Sequence, residues 1–140
     1  MENPQAPSAR QRPVSPHLTV YRWPITMATS ITHRVTGVAL SAGMVLLAWW
    51  LIGLASGPDV YQPLVRAAAS PLGLFVMFGF LWSLCYHWLN GIRHLVWDLG
   101  YGFEVRTASR TSIVVIALSV LFAAGVFILG YKIAQGTMRL

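Results

Sequence analysis

Three stretches of this 140-residue chain run for about 20 residues each without an Asp, Glu, Lys or Arg: Val35–Leu54, Pro71–Ile92 and Thr111–Tyr131. A helix needs roughly 20 residues to cross a hydrocarbon core of about 30 Å. Inside lipid every backbone amide must find an internal partner, so a helix is the default spanning structure. The composition agrees: 56% of residues are hydrophobic and 10% are charged, whereas a soluble domain carries about 25% charged residues. The expected fold is an all-α membrane protein with three transmembrane helices, at about residues 30–54, 71–98 and 111–133. Residues 1–29, with Pro4, Pro7, Pro13 and Pro16, form a polar N-terminal arm and interfacial segment. They hold no uninterrupted apolar run before a cleavage site, so the first span is expected to act as its own insertion signal.

The net charge is +6. The basic residues sit beside apolar segments rather than in one patch, so the expected partner is a lipid bilayer and not nucleic acid. Cys85 is the single cysteine, which excludes an internal disulfide. With the N-terminus inside, the inner side holds Arg10, Arg12, Arg22, Arg34, Arg93, Arg106 and Arg110, and the outer side Arg66, Lys132 and Arg139. The excess of basic residues on the first side places the N-terminus in the cytoplasm, or in the matrix of a mitochondrion.

Function then has to lie in the few polar residues that the spans carry, because an ionisable group at membrane depth costs about 2.5 kcal/mol or more on insertion scales. There are two clusters. Ser30, His33 and Arg34 open the first span; His87, Asn90, Arg93, His94 and Asp98 close the second. His87, Gly91, His94 and Asp98 recur at helical spacing and share one face. At a rise of about 1.5 Å per residue, His87 lies roughly 24 Å from Pro71 and roughly 16 Å from Asp98, inside the membrane in its inner half. Opposite directions of the two spans bring both clusters to the same leaflet.

A neutral imidazole in apolar surroundings is a good axial ligand for haem iron. Gly91, one turn from His87, would let a flat macrocycle approach the backbone. Arg34, His33, Arg93 and His94 lie toward the aqueous edge, where haem propionates would need partners. Ser30 and Arg34 could serve as donors to a quinone in an apolar pocket. Each residue also has a plainer reading. His87 could be a packing histidine bonded to a carbonyl, Ser30 a helix N-cap, Arg34 a topogenic charge, and Arg93 and His94 side chains that snorkel to the interface. Only His87 sits at ligand depth, so a six-coordinate haem would take its second ligand from another chain.

Two gapped motifs carry a family resemblance. The first is Arg12-Pro13-Val14-Ser15-Pro16-His17-Leu18, then Pro24-Ile25 and Ser30-Ile31-Thr32-His33-Arg34-Val35-Thr36-Gly37. The second is His87-Trp88-Leu89-Asn90-Gly91-Ile92-Arg93-His94-Leu95-Val96-Trp97-Asp98. The chain resembles the cytochrome b membrane-anchor subunit of succinate dehydrogenase (respiratory complex II), with Thr32 standing where an aliphatic residue is commoner. The resemblance implies a haem-binding helical bundle shared with a second anchor subunit, and His87 as the axial ligand of haem b. It places His33, Arg34 and His94 around the propionates, and Ser30, Ile31 and Arg34 at the ubiquinone site. The second haem ligand and a quinone-site tyrosine are implied on the companion subunit. An iron–sulfur subunit and a flavoprotein subunit are implied on the inner side, the flavoprotein carrying the succinate site. Two alternatives stay open: the anchor of a quinol:fumarate reductase, and a non-catalytic anchor whose polar residues only pack helices. The implied location is a bacterial inner membrane or the mitochondrial inner membrane.

Overall fold

The computed structural model describes residues 21–137. Four helices follow one another: α1 (Ile25–Ala55), α2 (Pro58–Ala69), α3 (Pro71–Asp98) and α4 (Val105–Thr137). Three of them, α1, α3 and α4, are long and apolar enough to cross a membrane.

The expected arm lies outside the described residues up to residue 20, and residues 25–29 of it belong to α1. The helix starts there because Pro24 is extended, at φ −68° and ψ 150°, and its carbonyl accepts from the amides of Met27 and Ala28. Thr29 and Thr32 then return their hydroxyl protons to the carbonyls of Thr26 and Ala28, which satisfies them within the helix. Ser30 is therefore an interior helical residue and not an N-cap. The connection between the first two spans contains α2. Pro58 suits its first turn, Asp59 and Arg66 match the positive and negative ends of its dipole, and Ser70 caps α3 by accepting from Gly73 N at 3.1 Å. The third span begins earlier than its uncharged stretch, since the first two turns of α4 carry Arg106 and Arg110.

α3 runs antiparallel to both α1 and α4, and it packs against each. The buried positions repeat with sevenfold spacing: Thr29, Thr36 and Gly43 on α1; Ser83, Tyr86, Asn90 and Arg93 on α3; Ser112 and Ser119 on α4. This interior is small and polar, while Val35, Val38, Val45, Trp49, Phe75 and Leu121 face outward. Lipid tails are as apolar as Leu, so helices in a bilayer associate through close packing of small residues and interhelical hydrogen bonds. Gly43 shows this best: a Cβ there would coincide with the Phe80 ring of α3.

Arg93 departs from its sequence reading. It does not extend outward to snorkel; it is 6% exposed and sits inside the bundle. Nη1 donates to Thr29 Oγ1 at 3.3 Å and Asn90 Oδ1 at 3.2 Å, and Nη2 donates to the Ala108 carbonyl at 3.0 Å. Those partners come from all three spans. The Trp97 ring covers the guanidinium at 4.1 Å, and Tyr86 donates to the Thr29 carbonyl at 2.8 Å to close the same junction.

Candidate functional site

The start of α1 and the end of α3 meet, and three imidazoles stack where they do. The His33 and His87 rings lie 4.0 Å apart with 21° between planes, and the His33 and His94 rings 5.1 Å apart with 17°. Helical position explains the stack. His87 and His94 are seven residues apart on one face of α3, and His33 enters from α1 between them.

The hydrogen bonds of His87 orient its ring and assign a role to Nδ1. Nδ1 lies 3.1 Å from the His33 carbonyl and 3.2 Å from Thr36 Oγ1. The carbonyl can only accept. The Thr36 hydroxyl spends its own proton on that same carbonyl, at 3.0 Å, so its oxygen is left to accept as well. Nδ1 is therefore the donor to both, and in the neutral imidazole this leaves the lone pair on Nε2. Metal-ligating histidines are held in the same way, the other ring nitrogen donating to a carbonyl that fixes tautomer and ring orientation. His94 follows the same pattern, with Nδ1 2.8 Å from the Asn90 carbonyl. His33 Nε2 is buried with no hydrogen-bond partner among the described residues.

Two rings stacked face to face cannot present nitrogens from opposite sides of one macrocycle, so His33 is not a trans partner for His87. Among the described residues no group of three or more His, Cys, Asp or Glu is arranged to hold a bare metal ion. Gly91 borders open space, where a Cβ would meet nothing within 4 Å. The glycine that touches the ring is Gly37, where a Cβ would lie 3.1 Å from His87 Cε1. Sequence reasoning quoted Gly37 within a motif and gave it no role; nothing in the sequence says which glycine of α1 faces α3.

Ser30 and Arg34 lie one turn apart on α1, on the side that carries His33. Ser30 is half-buried, and Ile31 and Arg34 are exposed. Arg34 is thus free to meet a ligand or another chain, unlike Arg93, whose charge is enclosed.

Residues 8–126 match the family model described as succinate dehydrogenase/fumarate reductase transmembrane subunit. The chain is 46% identical over 112 residues to the succinate dehydrogenase cytochrome b556 subunit of Paracoccus denitrificans, covering 80% of this chain and 86% of that one. It is 42% identical over 116 residues to the mitochondrial succinate dehydrogenase cytochrome b560 subunit of Sus scrofa, covering 81% and 69%. The human mitochondrial b560 subunit matches at 41% over 116 residues, with the same coverage. With the matched region covering α1, α3, most of α4 and both polar clusters, the chain belongs to the succinate dehydrogenase/fumarate reductase transmembrane-subunit family, and within it to the succinate dehydrogenase cytochrome b subunits.

Proposed function

We propose that this subunit ligates haem b through His87 Nε2 and forms one wall of the ubiquinone-reduction site of complex II. The observation that carries the proposal is the setting of the His87 ring: Nδ1 is held by the His33 carbonyl and Thr36, which in the neutral imidazole leaves Nε2 to act as a ligand. Open space beside Gly91 leaves room for a macrocycle along the same helix face. His33, Arg34 and His94 would hold the propionates, and the unpaired His33 Nε2 is available for one of them. His33 stacks on the His87 ring, so a second histidine to hold the haem would come from a companion anchor subunit. When bound, haem b supplies a one-electron centre whose potential the protein sets.

Reduction of ubiquinone adds two electrons and two protons. In this reading the electrons leave succinate on the flavoprotein subunit and arrive through the iron–sulfur subunit. Ser30 Oγ donates a hydrogen bond to a quinone carbonyl. Arg34 stabilises negative charge as it develops on the quinone oxygen, an electrostatic role that costs no reorganisation at the moment of reaction. Ile31 gives the site an apolar wall. The N-terminal end of α1 lies on the cytoplasmic or matrix side, where the iron–sulfur subunit docks. The curated relatives described above are succinate dehydrogenase subunits, which favours succinate oxidation over the fumarate-reducing direction.

Replacing Arg34 tests the quinone assignment. In the assembled complex, Arg34→Ala is expected to lower ubiquinone reduction at least tenfold, while succinate oxidation by an artificial dye stays unchanged. Equal loss of both activities would remove the quinone role.

A further inference from the structure

Arg93 is a charged group at membrane depth that the proposed haem and quinone contacts leave unused. All of its partners are neutral: a hydroxyl, a side-chain amide, a backbone carbonyl and an indole ring. Its Nε and the Nδ2 of Asn90 are buried without hydrogen-bond partners. The acidic residues nearest in sequence, Asp98 and Glu104, are both exposed, and Glu104 is engaged by Thr107 at 3.4 Å. Arg93 is thus a positive charge enclosed by protein, with no anion among its partners in the described residues. Packing alone does not call for that. A neutral hydrogen-bonding group could tie the same three helices without the desolvation cost of a buried charge.

Its position gives the charge something to act on. Arg93 precedes His94 directly and lies six residues from His87, roughly 9 Å along α3. Through Thr29 it reaches α1 one turn from His33. The medium between is bundle interior and lipid, where a fixed charge is screened far less than in water. Net charge and burial around a haem are among the levers that set its potential.

We propose that Arg93 is a fixed positive charge, built into the bundle, that raises the reduction potential of the haem ligated by His87. The three helix contacts hold the guanidinium in place, and the charge favours the state that carries the extra electron. This inference rests on the haem reading above.

The test is a redox titration of the haem in the assembled complex, followed by its absorption band. Arg93→Lys keeps the charge and loses the forked hydrogen bonds. Arg93→Gln keeps hydrogen-bonding capacity and loses the charge. The midpoint potential is expected to fall in Arg93→Gln and to stay near the wild-type value in Arg93→Lys. Thr29→Asp offsets the charge in place, because its carboxylate would extend from the residue that Nη1 already meets. It is expected to lower the potential as Arg93→Gln does, and it decides the matter alone where Arg93→Gln gives no assembled complex. An intact haem band with an unchanged potential in Arg93→Gln or Thr29→Asp overturns the proposal, as does an equal fall in the Lys and Gln variants, which would mark a packing role. A wild-type complex without any b-type band fails the haem reading instead, so the two failures are distinguishable.

Discussion

His87 on α3 gives its Nδ1 proton to the backbone carbonyl of His33 on α1, 3.1 Å away and 54 positions earlier in the chain. A backbone acceptor cannot be removed by substitution and does not titrate. The tautomer of His87 is therefore fixed by the register between two helices rather than by a side chain, and substitutions that disturb that register should be read out at the ring.

Thr36 is the second acceptor for the same proton, at 3.2 Å. Thr36→Val keeps the shape and removes the hydroxyl oxygen. Outer-shell partners of metal-bound histidines are typically worth 10–100-fold in affinity, and because the His33 carbonyl remains, a loss of about tenfold in haem affinity is expected. Haem titration of the variant complex measures it.

Gly37 sets how closely α1 approaches the ring. In Gly37→Ala the new Cβ would lie 3.1 Å from His87 Cε1, so the imidazole must move by a few tenths of an ångström. The expected result is a displaced haem absorption band and a lower haem content. Gly79→Ala on α3, whose Cβ would enter open space, should leave both unchanged.

Gly43 and Phe80 test the packing away from the site. Gly43→Val forces Phe80 off the α1 surface, and overpacking of this kind costs typically about 1–3 kcal/mol. The detergent-solubilised complex should melt at lower temperature, with its haem spectrum intact until it melts.

The proposed orientation can be read by labelling. A membrane-impermeant maleimide should modify Asp59→Cys, in the first turn of α2, from the outer side of the membrane. It should modify Arg110→Cys, near the start of α4, from the inner side only. The reverse pattern would invert the topology.

The spans and the meeting of the two polar clusters were legible from the sequence because they rest on long uncharged stretches, helical rise and alternating direction. α2 was not, since its 12 residues carry two prolines and charges at both ends, which read as loop without the tertiary contacts of Leu64 against Gly53 and of Tyr61 against Trp50. Arg93 was misread for a related reason. A helical wheel gives its angle on α3 but not which flank α4 occupies, and it is Ala108 of α4 that draws the guanidinium inward. The early start of α1 was hidden because Thr26, Thr29 and Ser30 look polar in sequence, whereas Thr29 is buried and its hydroxyl is bonded within the helix.

The most direct measurement is the reduced-minus-oxidised absorption spectrum of the purified complex carrying His87→Ala beside that of the wild type. The wild-type complex is expected to show a reducible b-type haem band, and the variant to lose it or to show it displaced, with the subunits still assembled. An unaltered band in an assembled His87→Ala complex would contradict axial ligation by His87.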